Sequence, residues 1–236
     1  MHDTRISASI LAFLALAAIP SPLSAQAGDA SRAVAGGGIQ VPGWAGRVDA
    51  REAAAGLTLE NARFAQEGDA FHVVTGPAVA YWKPENRASG NYTVKATFTE
   101  PKYMNLNNHP HPYGIFIAGN DMGTDQQTYL YCAAYGNGNF IVRGFGPEPF
   151  QVNGRRGESH PSVNKAAGPG APVTQEIALT VRGDKVECAI NGTVVGSYDR
   201  ASLVGPGKLR STDGVYGLRF GHNTEVMVKG LSVVKH

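Results

Sequence analysis

Apolar and polar residues alternate along most of the chain beyond residue 57, a pattern typical of half-buried β-strands. Asn191-Gly192 is the strongest hairpin signal, because both residues tolerate a positive φ. No crossover helices separate the strands, so we predict antiparallel sheets, two of which stack as a jelly-roll β-sandwich in an all-β fold. Twelve segments are predicted as strands: 57–61, 70–75, 79–82, 92–99, 113–118, 128–135, 139–143, 175–182, 185–190, 193–198, 215–221 and 225–234.

One short helical turn and two long loops interrupt the predicted strands. Residues 49–56 are predicted as the turn, because Asp49 can cap it, Glu52 follows three residues later and Gly56 can end it. Residues 101–112 and 146–174 are predicted as loops, and loops of this length are often functional. The strand 139–143 leads directly into the second loop, so we expect this loop to cover the sheet face that carries Arg143.

The N-terminus has the three parts of a secretory signal. Arg5 supplies a positive charge, residues 10–19 are apolar, and residues 25–27 fit the A-x-A cleavage rule. The apolar run is shorter than the roughly 20 residues that span a bilayer. We predict a signal peptide over 1–27, a flexible linker over 28–38 and a single β-sandwich domain over 39–236. The protein is then periplasmic or extracellular and has no membrane span after cleavage.

Charge and cysteine content narrow the function classes further. The formal net charge of +2 arises from mixed signs with no long basic run, which argues against a nucleic-acid partner. Cys132 and Cys188 both lie at core-facing positions of predicted strands. They either form a disulfide in an oxidising compartment or pack as two buried thiols, and the sequence leaves both alternatives open.

Five segments carry a resemblance to a known superfamily: 91–98, 113–117, 128–135, 186–192 and 214–220. Their order resembles the concanavalin-like lectin/glucanase superfamily, and most of all its laminin-G-like and 3-keto-disaccharide hydrolase-type secreted domains. The resemblance implies a jelly roll. It implies no single activity, because such sandwiches serve as lectins, hydrolases and adhesion modules.

The catalytic motifs of the enzyme branches are missing from this sequence. Family 16 glycoside hydrolases of this fold carry E-x-D-x-x-E on one strand, and no such string occurs here. We therefore expect a secreted carbohydrate-binding or surface-recognition module without evident catalytic machinery, with a glycan or oligosaccharide as its partner. One alternative is a hydrolase or lyase acting on (3-keto) disaccharides, which could be metal-assisted. A second alternative is a structural envelope protein.

Three tyrosines alternate on one side of the predicted strand 128–135, opposite Leu130 and Cys132. If the Leu130 side is core, the tyrosines face outward, where rings with polar tips suit sugar stacking. The alternative is cross-strand aromatic packing under the long loop. The candidate ligand-binding residues, which include polar neighbours and two loop arginines that could clamp an acidic sugar, are Tyr129, Tyr131, Tyr135, Asn139, Arg143, Arg155 and Arg156.

His109 and His111 alternate with prolines and could hold a divalent metal ion, with His160 or His222 completing the site. The alternative is an exposed loop that binds no metal. No other cofactor is expected.

Overall fold

The computed structural model describes residues 30–146 and 148–236. The predicted signal peptide and the first two residues of the predicted linker lie outside this range. Residues Ser31–His236 form one compact unit. Arg32 lies in the predicted linker, and its backbone N–H donates a hydrogen bond to Asn223 Oδ1 at 2.7 Å. No helix in the described part of the chain is long and apolar enough to cross a membrane.

The described residues form two stacked sheets, which confirms the predicted all-β sandwich. The strands are β1 (Gly38–Ile39), β2 (Ala45–Val48), β3 (Ala62–Glu67), β4 (Ala70–Thr75), β5 (Val79–Ala88), β6 (Tyr92–Glu100), β7 (Tyr113–Asn120), β8 (Thr128–Ala134), β9 (Asn139–Phe145), β10 (Pro149–Gln151), β11 (Glu158–Ser159), β12 (Val173–Arg182), β13 (Lys185–Ile190), β14 (Thr193–Asp199), β15 (Gly214–Phe220) and β16 (Glu225–Lys235). Sheet I has the order β1-β3-β4-β16-β6-β12-β13-β14. Sheet II has the order β10-β9-β8-β7-β15-β5-β2, with β11 also paired to β9. Among the strand pairs of the described residues only β1–β3 is parallel.

The main core lies between the two sheets. It takes alternate residues of each strand, such as Leu130, Cys132 and Ala134 on β8, all of which are fully buried. Cys132 on β8 and Cys188 on β13 form a disulfide across this core, with their Cα atoms 6.1 Å apart. The two cysteines are therefore bonded to each other, and the bond ties sheet I to sheet II.

Short helical segments connect some of the strands. The helix α1 (Ala50–Ala54) lies within the predicted turn 49–56, and α2 (Arg200–Leu203) follows β14. The predicted strand 57–61 is wrong, because Leu59–Asn61 is a 3-10 turn. This turn is closed by a capping box, in which the Thr58 N–H donates to Asn61 Oδ1 at 2.8 Å.

The long loop 146–174 contains two short strands that the sequence did not predict. Gln151 on β10 pairs with Arg143, and Ser159 on β11 pairs with Asn139, so both strands extend sheet II beyond β9. They supply partners for backbone groups of β9 that would otherwise be left at an open edge. This part of the loop therefore runs along the edge of sheet II, and the expectation that it covers the face carrying Arg143 is wrong for β10 and β11.

Candidate functional site

The outer face of sheet II, which points away from the main core, carries a second apolar cluster. Its fully or nearly fully buried members are Ala80, Trp82, Phe116, Tyr129, Tyr131, Ala133, Ile141 and Val215. Tyr129 is 0% exposed and Tyr131 is 4% exposed. Phe145 stacks on Tyr129 with the ring centroids 4.6 Å apart. Tyr129 and Tyr131 are thus packed against neighbouring rings, as in the second interpretation of their pattern.

A groove of about 670 Å³ lies on this outer face. Strands β2, β8, β9 and β15 contribute to it, together with the start of α1 and parts of the segments that follow β7 and β9. Its aromatic lining is Tyr131 and Phe145. Its charged lining consists of Arg47, Asp49, Arg51, Asp125, Arg143, Glu148 and Arg219. The groove therefore combines ring surface with charges of both signs.

Arg219 is the central charged residue of the groove. Arg219 is only 6% exposed and lies on β15 among apolar residues. Its guanidinium donates two hydrogen bonds to Asp49, at 2.7 Å to Oδ1 and 2.5 Å to Oδ2. The guanidinium carbon also lies 5.6 Å from the Tyr131 ring centroid and 5.3 Å from that of Phe145. Such paired, ring-flanked geometry stabilises a buried arginine.

The electrostatics keep this guanidinium charged and the nearby phenol protonated. Burial alone would lower the pKa of Arg219, but the adjacent Asp49 carboxylate raises it, and the net pKa lies above its usual value. Burial also raises the pKa of Tyr131. The Tyr131 hydroxyl therefore keeps its proton at neutral pH and can donate a hydrogen bond.

Two further arginines lie at the side of the groove. Arg47 on β2 pairs with Asp125, at 2.5 Å between Nη2 and Oδ1, and the Asp125 side chain is 93% exposed. Half-buried Arg143 donates from Nη2 to the backbone oxygen of Arg155 at 3.0 Å. Each arginine is thus held by a hydrogen-bonded partner, and the Arg143 Nε is buried without a partner among the described residues.

The structure brings only some of the predicted ligand residues together. Tyr131 and Arg143 line the groove, and Tyr129 lies buried beside them. The side chains of the others do not line it. Tyr135 lies beyond the end of β8, Asn139 begins β9, and Arg155 and Arg156 are exposed between β10 and β11.

Sequence reasoning missed Arg47, Asp49, Phe145 and Arg219. One local signal was available, since Arg219 is the only charged residue in the strand Gly214–Phe220. A lone charge in an otherwise apolar strand calls for a buried partner. That partner is Asp49, which lies 170 residues away along the chain, and no local pattern links the two.

The histidines form a separate cluster. His109, His111 and His222 lie together, with one ring nitrogen of each within 4.8 Å of the others. His160 is not part of this group, and its Nδ1 lies 2.8 Å from Ser162 Oγ. Of the two residues considered as a third ligand, the structure thus places His222 next to His109 and His111.

The fold and its strand order define a concanavalin-like β-sandwich. No protein-family model matches the sequence, and no curated protein matches it. Among solved structures, the chain is similar to the carbohydrate-binding module CBM66 from Bacillus subtilis, with 8% identity and a TM-score of 0.53 over 81% of this chain and 94% of that one. It is also similar to a Bacillus subtilis protein of unknown function with a galectin-like fold, with 14% identity and a TM-score of 0.52 over 81% of this chain and 89% of that one. At such identities the similarity shows a shared fold.

Proposed function

We propose that the protein is a secreted carbohydrate-binding module that holds a neutral or mildly acidic glycan in the groove of sheet II. The observation that carries this proposal is the combination of Tyr131 and Phe145 with anchored guanidinium groups in one groove. A sugar ring has an apolar C–H face and a rim of hydroxyls, and it needs both kinds of surface. The fold shared with a carbohydrate-binding module supports the proposal.

Each part of the groove has a role in this proposal. Phe145 is half-buried and offers ring surface for stacking, while Arg143 and Arg47 offer donors to sugar oxygens. Arg219 and Asp49 hold the floor and satisfy each other's charge. Because only one or two rings take part, we expect weak binding, with Kd in the micromolar-to-millimolar range.

Two of the three acids that line the groove, Asp49 and Asp125, are held by arginines, and Glu148 is the third. A retaining glycosidase needs two carboxyls about 5.5 Å apart, one of them able to give a proton. Both oxygens of Asp49 accept hydrogen bonds from Arg219, and Asp125 accepts one from Arg47. These contacts support a binding role for the groove.

The test is a broad glycan array followed by calorimetric titration of the glycans that bind. Arg143→Ala removes a charged donor and should weaken binding about tenfold to a hundredfold. Arg182→Ala is the matched control, because Arg182 is an exposed arginine at the end of β12 in sheet I. This control should bind as the unaltered protein does.

Three outcomes would overturn the proposal. A protein that binds nothing on the array supports the structural-protein alternative. Equal affinities of the Arg143→Ala and Arg182→Ala variants would place the ligand outside the groove. Release of shorter sugars during incubation, measured by mass spectrometry of the glycan, would support the hydrolase or lyase alternative.

A further inference from the structure

Three imidazoles meet at one end of sheet II, outside the groove. His109 and His111 precede β7, and His222 follows β15. The ring centroids are 4.4 Å apart for His109 and His111, and 4.1 Å apart for His111 and His222. We infer that these three histidines bind one divalent transition-metal ion of the class that prefers imidazole, such as Zn²⁺, Cu²⁺ or Ni²⁺. This inference does not depend on the proposed glycan function.

Strand pairing brings the two histidine-bearing segments together. β7 and β15 are antiparallel neighbours, with Tyr113 opposite Phe220, so the start of one lies beside the end of the other. The Gly221 N–H then donates to the Pro112 carbonyl at 2.7 Å. A side chain at Gly221 would not fit, because its Cβ would lie 2.8 Å from Pro112 Cδ. The close approach of the two segments therefore depends on this glycine.

The turn that carries His222 is held by buried hydrogen bonds. The Gly221 carbonyl accepts bonds from Thr75 Oγ1 at 2.8 Å and from Thr224 Oγ1 at 3.0 Å. The Asn223 N–H donates to the Gly76 carbonyl at 3.0 Å. Thr75 is 0% exposed, and Thr224 is 3% exposed. Hydrogen bonds on both sides of His222 hold its backbone in position, and a fixed backbone is one requirement for a preorganised metal ligand.

The partner segment is restricted by its prolines and by an amide contact. Pro110 and Pro112 flank His111 and fix their own φ angles near −65°. His109 Nδ1 lies 3.0 Å from Asn108 Oδ1. A hydrogen bond from Nδ1 to this amide oxygen leaves the lone pair on Nε2. This is the usual second contact of a histidine that binds a metal through Nε2.

The donor set determines the class of ion. The grouping consists of three imidazoles and contains no carboxylate or thiolate. Imidazole suits Zn²⁺, Cu²⁺ and Ni²⁺, whereas Ca²⁺ and Mg²⁺ require oxygen ligands. Zn–N bonds of about 2.0–2.1 Å place tetrahedral nitrogen ligands about 3.4 Å apart, and one ring nitrogen of each histidine already lies within 4.8 Å of the others. Three protein ligands leave one position for water or another ligand.

The test is equilibrium dialysis of the untagged full chain against Zn²⁺, with the bound metal measured by elemental analysis. We expect one ion per chain, no displacement by excess Ca²⁺, and a rise in the melting temperature on addition of Zn²⁺. Loss of an outer contact to a metal ligand already costs about 10–100-fold in affinity, so His222→Ala and His109→Ala should each weaken binding by at least about tenfold.

Two variants keep the test decisive. His109 is exposed, so His109→Ala leaves the packing intact and should melt like the unaltered protein without metal. His160→Ala removes a histidine outside the cluster and should bind Zn²⁺ normally. The inference is overturned if the protein takes up no Zn²⁺, if uptake exceeds one ion without saturating, or if His109→Ala binds as tightly as His160→Ala.

Discussion

At the scale of single residues, Arg219 and Asp49 form the contact on which the groove depends. The Arg219 side chain is 8% exposed and that of Asp49 is 24% exposed, so the pair is largely shielded from water. A buried charge that loses its partner destabilises a protein far more than an exposed one does. The pair also joins the residue before α1 to β15.

Replacing Asp49 by alanine should therefore lower the free energy of unfolding by about 2–3 kcal/mol. Arg219 would remain buried between Tyr131 and Phe145 without its carboxylate. Asp125→Ala is the control, because its carboxylate pairs with Arg47 but is 93% exposed, and it should change stability little. Urea unfolding measures both variants. Equal effects would show that Arg219 does not need its buried partner.

Glu100 is a second residue whose charge is linked to folding. It is 8% exposed at the end of β6, and its Oε1 accepts a bond from the Met104 N–H at 3.2 Å. Burial raises the pKa of Glu100 from 4.5 to about 7. Between these two pH values the folded state binds more protons than the unfolded chain, so the stability falls as pH rises.

Glu100→Gln removes this titration. We expect the variant to gain about 1–3 kcal/mol relative to the unaltered protein on going from about pH 4 to about pH 8. Chemical unfolding at a series of pH values measures the difference, with Glu60→Gln, at an exposed carboxyl, as the control. A constant difference across this range would mean that Glu100 titrates alike in both states.

At the scale of secondary-structure elements, the β13–β14 hairpin tests the turn inferred from Asn191-Gly192. Asn191 has φ 50° and Gly192 has φ 79°, so both residues adopt the positive values of a type I′ turn. No atom lies within 4 Å of a Cβ added at Gly192, so backbone strain is the only obstacle to a side chain there.

Gly192→Val should therefore lower the free energy of unfolding by about 1–3 kcal/mol, because a β-branched residue resists a positive φ. Thr193→Val places the same side chain at the next exposed position, where the strand accepts it, and should leave stability nearly unchanged. Thermal unfolding compares the two variants. If both melt alike, the strain at Gly192 is negligible.

Several strands with one buried face were predictable from alternation, although Ala62–Glu67 was missed. Ala70–Thr75 and Lys185–Ile190 have the predicted bounds, because each alternates core and outer residues between clear turns. Gly38–Ile39 and Pro149–Gln151 were not predictable, since two or three residues carry no periodicity and they pair only because a sheet edge is nearby. The segment Leu59–Asn61 was predicted as part of a strand from its apolar alternation. In the structure its local capping contact outweighs that alternation, and the segment forms a 3-10 turn.

At the scale of the whole molecule, alternation correctly placed Leu130 and Cys132 in the core and Tyr131 on the other face. It could not show that this other face is packed as well, since the side chains that cover it come from several strands and from the segment that follows β7. Only Tyr131 and Arg143 of the groove were identified from the sequence, because they are cross-strand neighbours on β8 and β9. The rest of the groove depends on contacts between distant parts of the chain.

We propose that the outer face of sheet II binds a glycan. Backbone amide NMR shifts, followed while the glycan that binds best on the array is titrated in, test it most directly. We expect the largest shift changes at Tyr131, Arg143, Phe145 and Gly146, which line the groove, and little change in sheet I. Shift changes centred on sheet I or on the three histidines, or no saturable changes at all, would contradict it.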